Sequence, residues 1–122
     1  MEFNLKKLEP IWIELHGEEY PARMTNRAVK ELTELWGIEY FDLFNKIAAS
    51  GLSVDEILDV IFVTLKGGGI QLTREQLDDV EIDARFIEHA NSKIIQLFDS
   101  SQRIVNVLED DNEESEKDSK KK

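Results

Sequence analysis

A chain of 122 residues, 41 % hydrophobic and 34 % charged, is long enough for one domain with its own core and too short for two. A formal net charge of −11 repels phosphate backbones and anionic lipid, which argues against nucleic acid and membrane surfaces as partners and favours basic or apolar protein surfaces. Cysteine is absent, which excludes disulfide staples, thiolate nucleophiles and Cys-ligated metal and fits a reducing cytoplasm. No export signal or membrane span is expected, because residues 1–8 alternate apolar and polar types and the longest apolar run, residues 60–63, is far below the roughly 20 residues a bilayer requires.

The first element in chain order is a β-hairpin over about residues 11–24. Ile11, Ile13 and Leu15 alternate with Trp12 and Glu14, Gly17 supplies the turn within His16-Gly17-Glu18-Glu19, and a second arm runs through Tyr20, Ala22 and Met24. Pro21 cannot donate to a ladder, so this arm belongs at an edge. The period then changes from 2 to about 3.6. Thr25 or Asn26 caps a helix with Ala28, Leu32 and Leu35 on one stripe, flanked by Val29 and Trp36 and terminated by Gly37. A second helix, about residues 39–49, groups Phe41, Phe44, Ile47 and Ala48 and stops at Gly51.

Ser53-Val54-Asp55-Glu56 reads as a capping box opening a central buried helix with Ile57, Leu58, Ile61, Phe62 and Leu65, ended by Lys66 and a flexible terminator or hinge, Gly67-Gly68-Gly69. A second box, Thr73-Arg74-Glu75-Gln76, opens a short helix carrying Leu77 and Val80. The last helix is the longest, from about Asp83 to Leu108, with Phe86, Ile87, Ala90, Ile94, Leu97, Phe98, Ile104, Val105 and Leu108 at helical spacing. At 1.5 Å per residue it would span roughly 39 Å, more than the diameter of a domain this size, so part of it is expected to project. Residues 109–122 hold no apolar side chain and read as a disordered charged tail. The expected architecture is a mainly α domain over residues 1–108: an N-terminal hairpin followed by a bundle of four to five helices.

No catalytic constellation emerges from the sequence, and neither a cofactor nor a metal is expected. His16 in the hairpin turn and His89 on a helix face read as surface residues without acid or base partners. The carboxylates Asp78, Asp79, Glu81 and Asp83 lack the alternating ligands and central Gly of a calcium loop. The glycine run follows a helix and precedes Ile70, the reverse of a phosphate-binding loop. Nine aromatics between Trp12 and Phe98 have no interleaved basic patch, so most are expected in the core. The distal part of the last helix, with Leu97, Phe98, Ile104, Val105, Val107 and Leu108, is the candidate partner-binding surface: it is too apolar to stand uncovered on a monomer, unless the helix folds back and closes the core.

The order of these elements resembles the tail assembly chaperones of long-tailed bacteriophages and prophages. The residues that carry the resemblance are Glu19-Tyr20-Pro21-Ala22-Arg23-Met24, then Thr25-Asn26-Arg27-Ala28-Val29-Lys30-Glu31-Leu32, the apolar stretch 57–65 ending in Lys66-Gly67, and Leu72-Thr73-Arg74-Glu75-Gln76-Leu77, within a span from Leu15 to Phe98. The resemblance implies a protein of the host cytoplasm that binds the tape measure protein, prevents its aggregation, helps recruit the tail tube protein, self-associates, and leaves before the virion is complete. A competing reading of the charge is an acidic decoy that mimics DNA. Against it, acids alternate with bases on the helices, as in Arg27, Lys30, Glu31 and Glu34. Many chaperones of this kind are made in a short and a longer form by ribosomal slippage, and Lys120-Lys121-Lys122 can be encoded by an adenine-rich slippery run. Slippage at this point requires the gene to hold a slippery heptamer at those codons and an overlapping open frame downstream; sequencing that finds either one missing excludes it.

Overall fold

Alternation with period 2 becomes an antiparallel hairpin of β1 (Ile11–Leu15) and β2 (Glu18–Ala22) in the computed structural model, which describes residues 9–49 and 51–99. His16 and Gly17 close it with φ of 51° and 84°, the positive pair that matches the twist of a two-residue hairpin. The register pairs Leu15 with Glu18 and Trp12 with Pro21. Counting from the turn, Trp12 and Pro21 fall at a position without ladder hydrogen bonds, so the proline's missing N–H removes nothing. Ile13 and Ala22 face inward and are buried, while Trp12 and Glu14 face out.

Four helical segments pack behind the hairpin, and all but the second start at a side-chain cap. Thr25 accepts from the Ala28 N–H at the head of α1 (Asn26–Trp36). No side chain caps α2 (Tyr40–Ala48), which follows the left-handed Gly37 turn. Ser53 and Glu56 form the capping box of α3 (Val54–Gly67), and Glu56, to which the Ser53 backbone N–H donates, is held below the usual carboxylate range, with burial opposing and Lys46 assisting. Thr73 and Gln76 form the second box, but the helix it opens, Arg74–Asp79, is a single stretch of 3-10 helix with only Leu77 buried. Asp83 then caps α4, helical through residues 84–99, by accepting from the Phe86 N–H at 2.7 Å. With the 3-10 segment this makes five helices after one hairpin among the described residues, a mainly α fold of the expected kind. The expected extension of the last helix past residue 99, and the tail at 109–122, lie outside the described residues.

The core is built around α3, which buries Ile57, Leu58, Val60, Ile61, Val63, Thr64 and Leu65, so that almost its whole circumference is enclosed. Thr64 is the one polar side chain in that set, and its hydroxyl donates back to the Val60 carbonyl at 2.7 Å, leaving no orphaned donor. Two helix faces differ from the periodic expectation. On α1 the buried set is Ala28, Val29 and Leu32, and Trp36 rather than Leu35 turns toward α3, because its indole N–H donates to Asp59 at 2.9 Å. On α2 the buried pair is Leu43 and Ile47, so Ile47 is buried as expected but the face is rotated by about 90° from one centred on Phe41, Phe44, Ile47 and Ala48 at 100° per residue.

Of the nine aromatics between Trp12 and Phe98, Phe98 is buried and Tyr20, Trp36, Phe44, Phe62 and Phe86 pack half-buried against the core, so most do belong to it, while Trp12, Tyr40 and Phe41 stand exposed. The glycine run is corrected. It is a packing device: a Cβ on Gly67 would come within 2.5 Å of the Arg23 carbonyl oxygen, and one on Gly68 would overlap the Pro21 carbonyl. The end of α3 thereby lies directly on the outer edge of β2, where the Arg23 N–H donates to the Thr64 carbonyl at 2.9 Å. On the opposite side the Glu14 N–H of β1 donates to His89 Nε2 of α4 at 3.1 Å, and the Glu81 N–H donates to His16 Nε2 at 3.0 Å. Both histidines are therefore acceptors that tie the hairpin to the C-terminal elements, not idle surface side chains. His89 thereby covers an N–H at the outer edge of β1 that would otherwise be unpaired.

Gly68 has an ordinary φ of −83°, so alanine there is penalised by overlap alone. Gly68→Ala is expected to cost about 2 kcal/mol or more in urea unfolding. Gly51→Ala, where nothing lies within 4 Å of the added carbon, should stay within about 0.5 kcal/mol of the parent.

Candidate interaction surface

Leu43 and Ile47 of α2 point inward, so the helix geometry sends Phe41 to the other side, where it is 79 % exposed. Tyr40 beside it is 46 % exposed. These two rings are the outer end of an aromatic chain that begins in the core. Phe98 meets Phe44 edge-on at 4.6 Å between centroids, Phe44 meets Tyr40 at 5.3 Å, and Tyr40 meets Phe41 edge-on at 6.1 Å. An exposed phenylalanine costs solubility and gains nothing for the isolated fold, and here it is held by a rigid stack of rings in place of a mobile loop. Five residues earlier, at the end of α1, Leu35 is 59 % exposed. The α1–α2 corner thus presents Leu35, Tyr40 and Phe41 outward.

Acids surround these side chains in sequence: Glu34, Glu39 and Asp42, all exposed. Among the described residues none of the three takes part in an ion pair. Lys30, one turn before Glu34 on α1, makes no ion pair among the described residues, and the other neighbouring lysines are engaged elsewhere. Lys46 pairs with Glu56 at 3.0 Å and lies over the Trp36 ring, and Lys66 pairs with Glu31 at 3.0 Å while covering Phe62 at 4.7 Å. The corner is therefore apolar at its centre and net acidic at its rim.

The expected partner-binding set is corrected at its two described members. Leu97 is 1 % and Phe98 7 % exposed, so both are core side chains: Phe98 is consumed by Phe44, and Leu97 belongs with Ala90 and Ile94 to the buried face of α4. The helix does close onto the body at these positions. Ile104, Val105, Val107 and Leu108 lie outside the described residues. Sequence periodicity pointed to the distal helix because it counted apolar residues, whereas the exposed rings sit on a nine-residue helix whose every turn is apolar and whose facing direction periodicity alone leaves undecided.

The densest polar cluster is structural. Arg74 donates from Nε to Asp59 at 2.8 Å and from Nη1 to Asp78 at 2.9 Å, while Asp59 also receives the Trp36 indole N–H. It locks the 3-10 helix and the end of α1 onto α3 with every group satisfied, and offers no free acid or base. A cleft of about 360 Å³ lies between the hairpin turn and the 3-10 helix, walled by Leu15, Tyr20, Leu65, Ile70, Leu72 and Leu77. The one imidazole at its mouth, His16, has its Nε2 occupied by the Glu81 N–H. Among the described residues no group of three or more His, Asp or Glu is placed to hold a metal ion, and no helix is long and apolar enough to cross a membrane. Asp78 and Asp83, from the carboxylate cluster singled out above, are used for Arg74 and for capping α4.

Comparison with known proteins yields one family. The family described as phage tail tube protein, GTA-gp10, matches residues 11–97, which takes in both strands, α1 to α3, the 3-10 helix and nearly all of the described α4. No curated protein and no solved structure matches the chain.

The two phenylalanines at the ends of the ring chain should respond oppositely to truncation. Phe98→Ala is expected to destabilise by about 3 kcal/mol, as for large-to-small changes in a core, and Phe98→Asp to abolish cooperative folding. Phe41→Ser should leave the unfolding midpoint within about 0.5 kcal/mol of the parent. Thermal or urea melts followed by circular dichroism separate the two.

Proposed function

Because the chain belongs to the family described as phage tail tube protein, GTA-gp10, we propose that within phage tail formation it acts as a tail assembly chaperone. In this reading it binds the tape measure protein in the host cytoplasm, keeps that protein's long apolar helices from aggregating, helps bring tail tube subunits to them, and departs before the virion is complete. Its task is binding, not catalysis. The observation that carries the reading is the outward placement of Phe41, the most exposed large hydrophobic among the described residues, with Tyr40 and Leu35 beside it. A holdase needs apolar surface that is exposed and rigid, so that a client helix is met without first ordering the chaperone.

The charge pattern supports client binding over mimicry of DNA. Asp55 and Asp59 of α3 and Asp78 of the 3-10 helix pair with Arg74, Glu56 with Lys46 and Glu31 with Lys66, which leaves a surface of mixed sign in place of the dense one-signed face a decoy requires. An apolar contact also predicts a salt response opposite to that of a decoy.

Co-expression with the tape measure protein of the same gene cluster tests the proposal. The client is expected to stay soluble and to co-purify with the chain, and the complex to survive 0.5 M salt. A client that aggregates as much with the chain as without it rules the chaperone role out.

A further inference from the structure

The α1–α2 corner joins exposed rings to carboxylates that have no counter-charge, and that combination says what should cover it. We infer that the surface formed by Tyr40, Phe41 and the outward side of α2 is the docking site for a basic amphipathic helix: apolar anchors flanked by Lys or Arg. The inference deepens the client-binding reading and rests on it.

Helical geometry places Phe41, Asn45 and Ala48 on one outward stripe of α2, at positions i, i+4 and i+7, and all three are exposed. Such a stripe, with one large ring at its head and small or short side chains behind it, accepts a helix laid alongside. Asp42 lies beside Phe41 on the same exposed side, Glu39 sits at the N-cap of α2, and Glu34 lies on α1 next to the exposed Leu35. Glu39 stands at the positive end of the α2 dipole, exposed and without a capping hydrogen bond, so its carboxylate is open to a partner. The one base on α2, Lys46, is spent on Glu56 and on the Trp36 ring. A partner with basic flanks would therefore supply the charge the corner lacks and bury Phe41 in the same step.

The alternatives are disfavoured by the same residues. A second copy docking through this corner about a two-fold axis would set Glu34, Glu39 and Asp42 against their own equivalents, like charge on like charge. Phosphates of nucleic acid or lipid would meet the same carboxylates. Self-association, if the chain uses it, needs another face.

The test uses the full chain and two fluorescently labelled synthetic peptides of one amphipathic pattern, one built of Leu and Lys and the other of Leu and Glu, with anisotropy as the readout. The Leu/Lys peptide is expected to bind and the Leu/Glu peptide to bind at least tenfold more weakly. Phe41→Ser should weaken Leu/Lys binding at least tenfold with unchanged circular dichroism. So should the double variant Glu39→Lys/Asp42→Lys. A control with the same change in net charge, Glu75→Lys/Asp79→Lys on the 3-10 helix, should shift it less than threefold. The inference is overturned if both double variants weaken binding equally, which would be attraction to net charge alone, if Phe41→Ser binds as the parent does, or if the two peptides bind alike. Any of these outcomes combined with successful rescue of the tape measure protein removes this surface while leaving the chaperone reading intact; failed rescue with the expected peptide results does the reverse.

Discussion

The fold depends on a backbone approach that only glycine permits. Gly67 and Gly68 let the last turn of α3 rest on the Pro21 and Arg23 carbonyls of β2, and the Arg23 N–H closes the gap with a hydrogen bond to Thr64. A two-stranded hairpin is marginal by itself in water, with one face to bury and two bare edges. Here α3 takes the edge of β2, α4 takes the edge of β1 through His89, and Ile13 and Ala22 drop into the core between them. The hairpin then fixes where α4 runs, because its two imidazole ties lie at the turn and beside Glu14. Phe98 is carried to Phe44 by that path, and Phe44 in turn holds Tyr40. The exposed rings on α2 are thus positioned by contacts that begin at the far end of the molecule.

Much of this order was legible in the sequence because it is written in local chemistry. Capping residues announce helix starts through hydrogen bonds that span three positions, so Thr25, Ser53, Thr73 and Asp83 mark the heads of four segments. The hairpin follows from strict alternation and a turn glycine. What the sequence left open was direction. A short helix such as α2, with Tyr40, Phe41, Leu43, Phe44 and Ile47 in eight positions, has apolar residues on nearly every side, and the face it buries is decided by the neighbours it packs against. The same holds at Leu35 and Trp36, adjacent on α1: a single indole-to-carboxylate hydrogen bond, reaching 23 residues along the chain to Asp59, settles which one turns in. Long-range pairings leave no trace in local periodicity, and the roles of both histidines were invisible for the same reason.

The glycine run shows how one residue type carries two opposite meanings. Read locally, three consecutive glycines after a helix are a flexible stop. In the folded chain two of them leave no room for a Cβ, and of the three only Gly69, at φ 95°, uses the conformational freedom that glycine offers. The distinction cannot be drawn without knowing that β2 lies against them.

Placing some rings outside and branched aliphatics inside has a consequence for recognition. Ile, Leu and Val fill most of the tight space around α3, with Phe98 the one buried ring of the described residues, and the other rings lie half-buried or exposed around them. A ring on a rigid helix is an efficient anchor, since it offers large apolar area at the loss of only two rotatable bonds. Exposed rings also invite indiscriminate association, and a chain at −11 meets that hazard with charge: unpaired carboxylates beside the rings repel further copies of the same surface while leaving a cationic partner free to approach. Selectivity at such a surface comes less from the apolar contact, which any greasy helix could make, than from the carboxylates that decide which helices can come close enough to make it.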